Sequence, residues 1–125
     1  MSDEKKIIVI DDDPDIVTFL TTLLEDNGYK TISAKDGQEG LEKIQHERPQ
    51  LVLLDVTMPE KSGVRCYREL RENPDLALIP VVIVTGVAKD FKNFISSRRQ
   101  VPPPDGFISK PIDKQELLAT VSKFL

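Results

Sequence analysis

A short apolar run followed by a stretch of helically spaced apolar positions recurs five times along this chain. Lys6 to Ile10 reads as the first strand. The first helix opens with Asp13 as its N-cap and Pro14 at its first position, where an N–H has no partner anyway, continues through Leu20 and Leu24, and stops near Gly28. Lys30 to Ala34 gives the second strand. Asp36 and Gly37 begin a second helix, with Leu41 and Ile44 facing inward, and the Arg48, Pro49 pair ends it. Strand three is Leu51 to Asp55, helix three runs from Ser62 to Glu72 with Val64, Tyr67 and Leu70 at helical spacing, and strand four is Pro80 to Val84. A fourth helix is expected around Asp90 to Arg99. Strand five is short, Gly106 to Ser109, and the last helix starts at Asp113, with Glu116 at capping-box spacing and Leu117, Val121 and Leu125 following.

Strands three and four are continuous apolar runs, as a sheet covered by helices on both faces requires. The alternation therefore predicts an α/β fold with a doubly wound parallel sheet, whose functional crevice lies outside the carboxyl ends of the strands. Polar residues fall at those ends. Strand one ends in Asp11 and Asp12, strand three in Asp55, strand four in Thr85 and Gly86, and strand five in Lys110 and Pro111. Carboxylates crowded at one sheet edge repel each other unless a cation joins them, so the edge reads as a site for a hard metal.

Composition narrows the setting. A chain of 125 residues suits one domain spanning 1–125. Its 17 Lys and Arg against 21 Asp and Glu give a net charge of -4, which offers no general electrostatic case for nucleic acid or an anionic membrane. Cys66 has no second cysteine to pair with and lies in a helical pattern, so a reduced packing residue is expected. The segment Met1 to Lys6 is polar and lacks an apolar signal region, and no apolar run approaches the length of a membrane span; a cytoplasmic protein is the expectation.

An ionised aspartate attacks phosphorus without a general base, but it must approach an anionic phosphoryl group, so the repulsion has to be neutralised. Magnesium and a lysine do this. Oxygen ligands from Asp12, Asp55 and a backbone carbonyl favour Mg²⁺ over zinc, because neither His46 nor Cys66 is placed near the acids. Lys110 would bind one phosphoryl oxygen, Thr85 would donate to another, and Gly86 leaves the entrance uncrowded. The product would be an aspartyl phosphate.

The segments IIVIDD, LVLLDVTMPEKSG, VIVTG and FISKP resemble, in order and separation, the signature segments of response regulator receiver domains of two-component signalling. The likeness is to stand-alone, chemotaxis-regulator-like receivers and spans nearly the whole chain. It implies Asp55 as the phosphoacceptor, Asp11 and Asp12 as the metal-binding pair with the Thr57 carbonyl as a further ligand, and Thr85 and Lys110 as phosphoryl-binding groups. Phe107 takes the position of the family's switch aromatic, coupled to Thr85. The resemblance also implies a flavodoxin-like (βα)5 fold with strand order 2-1-3-4-5, a cis peptide between Lys110 and Pro111, and a phosphoryl donor that is a histidine kinase or histidine phosphotransfer protein. In the family that donor docks near the first helix and the Pro111 loop. Ile16 and Phe19 form a second apolar stripe beside Val17 and Leu20, which leaves docking and core roles open for both.

Other residues carry plainer roles. Asp13 and Asp15 suit a helix start, where carboxylates meet free N–H groups and the helix dipole. His46 lies in the polar stretch HERPQ and is expected at the surface; Lys89, Lys92, Arg98 and Arg99 read as a solvated helix face. Two other function classes fit less well. A haloacid-dehalogenase-type phosphohydrolase shares an aspartate nucleophile, Mg²⁺, a threonine and a lysine, and Asp11 and Asp13 mimic its D-x-D opening, but after Lys110 only Asp113 and Glu116 could supply its second acidic pair. A phosphate-independent binding module would have lost an acid, the threonine or the lysine, and none is missing.

Two departures from the family pattern matter. Position 87, two after the threonine, holds Val where some relatives carry a polar side chain that helps water attack the acyl phosphate, so slow self-dephosphorylation is expected. The stretch from Val87 to Asp105 is longer than usual and contains Pro102, Pro103 and Pro104, which should end the fourth helix before Val101 and lead into strand five as a stiff extended segment. That departure reshapes the face of the fourth helix, strand five and the last helix, so a monomer is expected. The chain stops at the last helix, so it is expected to bind no nucleic acid directly and to have its phosphorylated surface read by a downstream protein.

Overall fold

The computed structural model describes residues 5–56, 62–86 and 103–125. Its strands are β1 (Lys6–Ile10), β2 (Lys30–Ala34), β3 (Leu51–Leu54), β4 (Val81–Thr85) and β5 (Gly106–Ser109). The helices among the described residues are α1 (Pro14–Asp26), α2 (Gly37–Glu47), α3 (Ser62–Glu72) and a C-terminal α4 (Lys114–Phe124). All strand pairs are parallel, in the order β2-β1-β3-β4-β5. This is the doubly wound, flavodoxin-like arrangement.

Side chains alternate across a strand, and here the alternation divides the core in two. Ile8, Ile10, Val52, Leu54, Val81 and Ile83 pack with Ile44, Cys66, Tyr67 and Leu70 on the face covered by α2 and α3. Ile7, Val9, Leu51, Leu53, Val82, Val84 and Ile108 pack with Leu20, Leu24, Leu117 and Val121 on the face covered by α1 and α4. Because both faces are covered, every residue of β3 and β4 is buried, which is why these strands carry no polar alternation.

Local signals set the helix ends. Asp13 caps α1 by accepting from the Asp15 N–H, with Pro14 at the first helical position. Asp36 caps α2 through the Glu39 N–H, and α2 ends at Arg48, whose φ of 50° is left-handed and is followed by Pro49. Asp113 caps α4 by accepting from Gln115 and Glu116 N–H groups. Three strand boundaries move by one residue: β3 ends at Leu54 rather than Asp55, and β4 runs from Val81 to Thr85 rather than from Pro80 to Val84. Proline lacks the N–H that would begin a ladder, although the Pro80 carbonyl still accepts from Val52 N–H at 3.0 Å. The helix expected around 90–99 lies outside the described residues, as do Thr57, Val87, Lys89, Lys92, Arg98, Arg99 and Pro102. Pro103 and Pro104 lie outside regular structure, directly before β5.

Candidate functional site at the carboxyl edge of the sheet

Parallel registry alone brings the acids together. Ile10 pairs with Leu54, so the next residues, Asp11 and Asp55, emerge side by side from adjacent strands. Their backbones are pinned there: Asp55 N–H donates to Ile10 O at 3.0 Å and Asp11 N–H to Ala34 O at 3.1 Å. Asp11 and Asp55 are 3% and 2% exposed, whereas Asp12 is open to solvent. Each of the three offers a carboxylate oxygen, and those oxygens lie within 4.8 Å of one another. Three hard, anionic oxygen donors at that separation, two of them buried, match what Mg²⁺ binds and what zinc, preferring nitrogen and sulfur, does not.

Lys110 closes the site from β5. Thr85 pairs with Ser109, and Lys110 N–H donates to Thr85 O at 3.3 Å, which sets the lysine beside the end of β4. Its ammonium donates to Asp11 Oδ2 at 2.9 Å and to Asp55 Oδ2 at 3.3 Å. Asp11 Oδ1 accepts from the Asp13 N–H at 2.9 Å, so both oxygens of this buried carboxylate are occupied. Burial lifts the Asp11 pKa above its ordinary value, the Asp55 charge pushes the same way, and the Asp13 N–H and Lys110 only partly offset this. Burial opposes the charge on Lys110, but the hydrogen bond to Asp11 and the charges of Asp55 and Asp11 together hold its pKa above the ordinary lysine value, so it is a fixed cation at neutral pH. Thr85 is fully buried at the same edge. The site thus gathers buried carboxylates, a cluster of oxygen donors and a cation at one mouth.

Comparison with known proteins agrees with this geometry. Residues 7–122 match the model of the response regulator receiver domain. The chain belongs to that family. Protein Rrf1 of Nitratidesulfovibrio vulgaris is 35% identical over 120 residues, which cover 96% of this chain and 82% of that protein. The alkaline phosphatase synthesis transcriptional regulatory protein PhoP of Bacillus subtilis is 34% identical over 97% of this chain, which spans 48% of the length of PhoP. Among solved structures, the Vibrio cholerae chemotaxis protein CheY4 superposes with a TM-score of 0.84 at 26% identity, covering 98% of this chain and 99% of that one. As a receiver, the protein is a signalling domain of two-component systems, a family that works with kinases and downstream effectors.

Around the receiver's site, the Lys110–Pro111 peptide is cis and Pro111 is exposed. Ile16 and Phe19 are half-buried and pack against the α1 and α4 face of the core, with the Lys114 ammonium 5.9 Å from the centre of the Phe19 ring. Phe107 is half-buried against the opposite cluster, which contains Tyr67. His46 is exposed and Cys66 is buried, as expected; burial, with a smaller push from Glu69, drives the Cys66 thiol up to about 12. No helix among the described residues is long and apolar enough to cross a membrane.

Two contributors escaped the sequence reading. A Cβ on Gly63 would overlap the Asp55 carbonyl oxygen and the Val56 Cα, so the first turn of α3 lies directly against the backbone that carries Asp55. The other is Arg71, joined to Tyr67 and Asp105. An arginine one helical turn after a tyrosine was the available signal, since residues i and i+4 share a helix face.

Proposed function

We propose that this chain, acting as a single receiver domain over 1–125, takes a phosphoryl group onto Asp55 from a phosphohistidine of a histidine kinase or histidine phosphotransfer protein. The observation that carries this reading is the meeting of Asp11, Asp12 and Asp55 within 4.8 Å, with the Lys110 ammonium 2.9 Å from Asp11 and 3.3 Å from Asp55. An Asp55 oxygen attacks phosphorus, the phosphorus–nitrogen bond breaks, and its electron pair returns to the imidazole nitrogen. Asp11, Asp12, Asp55 and the Thr57 carbonyl would hold Mg²⁺, which when bound offsets the charge of the phosphoryl oxygens. Lys110 neutralises a further oxygen, and the buried Thr85 hydroxyl donates to another.

The domain catalyses only its own phosphorylation and slow self-dephosphorylation. Thr85 and Phe107 act as the switch, changing the surface around the expected fourth helix, β5 and the C-terminal α4 that a downstream protein reads. Ile16, Phe19 and Pro111 meet the histidine-bearing partner; the exposure of Pro111 and the half-buried setting of the other two support this. The receiver acts as a monomer in the cytoplasm and does not itself bind nucleic acid.

Intact-mass measurement after incubation with acetyl phosphate and Mg²⁺ tests the reading. One added phosphoryl group is expected, absent in Asp55→Ala and absent with a chelator. Unchanged labelling of Asp55→Ala would refute the assignment, and a wild-type protein that never labels would favour a phosphate-independent binding module.

A further inference from the structure

The Arg71 side chain is only 7% exposed, and its guanidinium is held from several directions. Nε donates to the Tyr67 hydroxyl oxygen at 3.2 Å, Nη1 donates to Ala77 O at 2.9 Å and Ile79 O at 3.2 Å, and Nη2 donates to Asp105 Oδ2 at 2.6 Å. Its Cζ also stands 5.1 Å from the centre of the Tyr67 ring. Asp105 is equally engaged. Its N–H donates to Val81 O at 2.9 Å while its Oδ2 accepts from Val81 N–H at 2.8 Å, so one residue makes both bonds that begin the β4–β5 ladder.

That arrangement answers a local problem. Three prolines, Pro102 to Pro104, precede Asp105, and none has an N–H to give to a neighbouring strand. β5 is a four-residue edge strand paired with β4 alone, and at its far end the Lys110 N–H reaches Thr85 O at a long 3.3 Å. A strand this short has few bonds to fix its register. A slip of one residue would move Lys110 by about 3.3 Å along the sheet and turn its side chain to the other face. Either change takes the ammonium away from Asp11 and Asp55.

We infer that Arg71 and Asp105 are positioning residues for Lys110, pinning the start of β5 so that the lysine at its end stays on the acid cluster. The inference rests on the phosphoacceptor reading of that cluster. Asp105 is too far down the strand to touch a phosphoryl group, since five residues of strand span about 16 Å. The pair acts through registry.

The test is Asp105→Ala in the full chain, with Asp105→Asn as a second variant that keeps an oxygen for the Val81 N–H but loses the charge facing Arg71. Mg²⁺ affinity by calorimetry, the labelling rate with acetyl phosphate at saturating Mg²⁺, and amide hydrogen exchange at Ser109 and Lys110 are compared with wild type. An ammonium and a divalent cation compete for the same carboxylates, so release of Lys110 should raise Mg²⁺ affinity by about threefold. Loss of the placed cation should slow labelling by about tenfold, with faster exchange at Lys110. A merely structural pair would leave both quantities per folded molecule unchanged or lower them together, and either result overturns the inference. If Asp105→Ala does not fold, Asp105→Asn must show the same opposite-signed changes. If wild type itself never labels, the phosphoacceptor reading fails, while Mg²⁺ affinity and exchange still decide whether the pair positions Lys110.

Discussion

The Lys110 ammonium sits 2.9 Å from Asp11 Oδ2, although 99 residues separate the two. The same ammonium reaches Asp55 at 3.3 Å, so one lysine ties together two buried carboxylates that would otherwise repel. In the proposed function its charge would serve phosphoryl binding and would compete with a metal for the same oxygens. Replacing it by an isosteric apolar side chain, Lys110→Met, should slow labelling by acetyl phosphate about 10²-fold while tightening Mg²⁺ binding. Calorimetric titration alongside intact-mass kinetics checks both signs; weaker Mg²⁺ binding would show that the lysine organises the acids rather than competing for them.

Asp11 gives a dependence on pH. An acid whose pKa is raised by folding binds its proton more tightly folded than unfolded, so this group adds stability that is fully present below its ordinary 3.8 and lost as pH rises through the folded value. Without metal, thermal melts of wild type should therefore show stability from this group growing as pH falls toward 3.8, and Asp11→Asn should lack that slope and be the more stable protein at neutral pH. Mg²⁺ affinity should fall over the same range, because the metal needs the ionised form. A wild-type profile parallel to that of Asp11→Asn would be the contrary result.

Gly63 predicts a steric effect on the site. Its missing Cβ would meet backbone atoms of Asp55 and Val56, which cannot rotate away, whereas a Cβ at Gly40 would meet side-chain atoms of the buried Ile10, Cδ1 nearest, and no backbone. Gly63→Ala should cost about 1–3 kcal/mol in urea unfolding and lower the labelling rate of the molecules that remain folded. Gly40→Ala should leave that rate near wild type.

Cys66 should be chemically silent. With the thiol buried and its pKa at about 12, almost no thiolate exists at neutral pH. Alkylation by iodoacetamide should proceed only at the rate of unfolding, and rapid modification of the native protein would contradict the packing role.

Val87 sets the expected lifetime of the phosphorylated form. A valine two positions after Thr85 can neither orient nor polarise water, so decay should be slow, and Val87→Glu or Val87→Asn should change it. Loss of the added mass from purified phosphoprotein measures this directly; decay as fast as the quickest receivers would sink the argument.

Periodicity and caps determined much of this protein in advance. The apolar runs at β3 and β4 announced a sheet buried on both faces, the aspartates at 13, 36 and 113 marked three helix starts, and the acids, threonine and lysine at strand ends marked the edge that carries the site. Those signals are local, since each depends on residues within one or two turns of its neighbours. Strand order and the cis bond came from family resemblance, because no local pattern encodes which strands pair. Only the tertiary structure decided that Lys110 lies between Asp11 and Asp55, that α3 needs Gly63 to approach the Asp55 backbone, and that Arg71 reaches Asp105 across 34 residues. Such contacts depend on registry between strands and on the volume left between packed elements, and a linear pattern of apolar and polar positions carries neither.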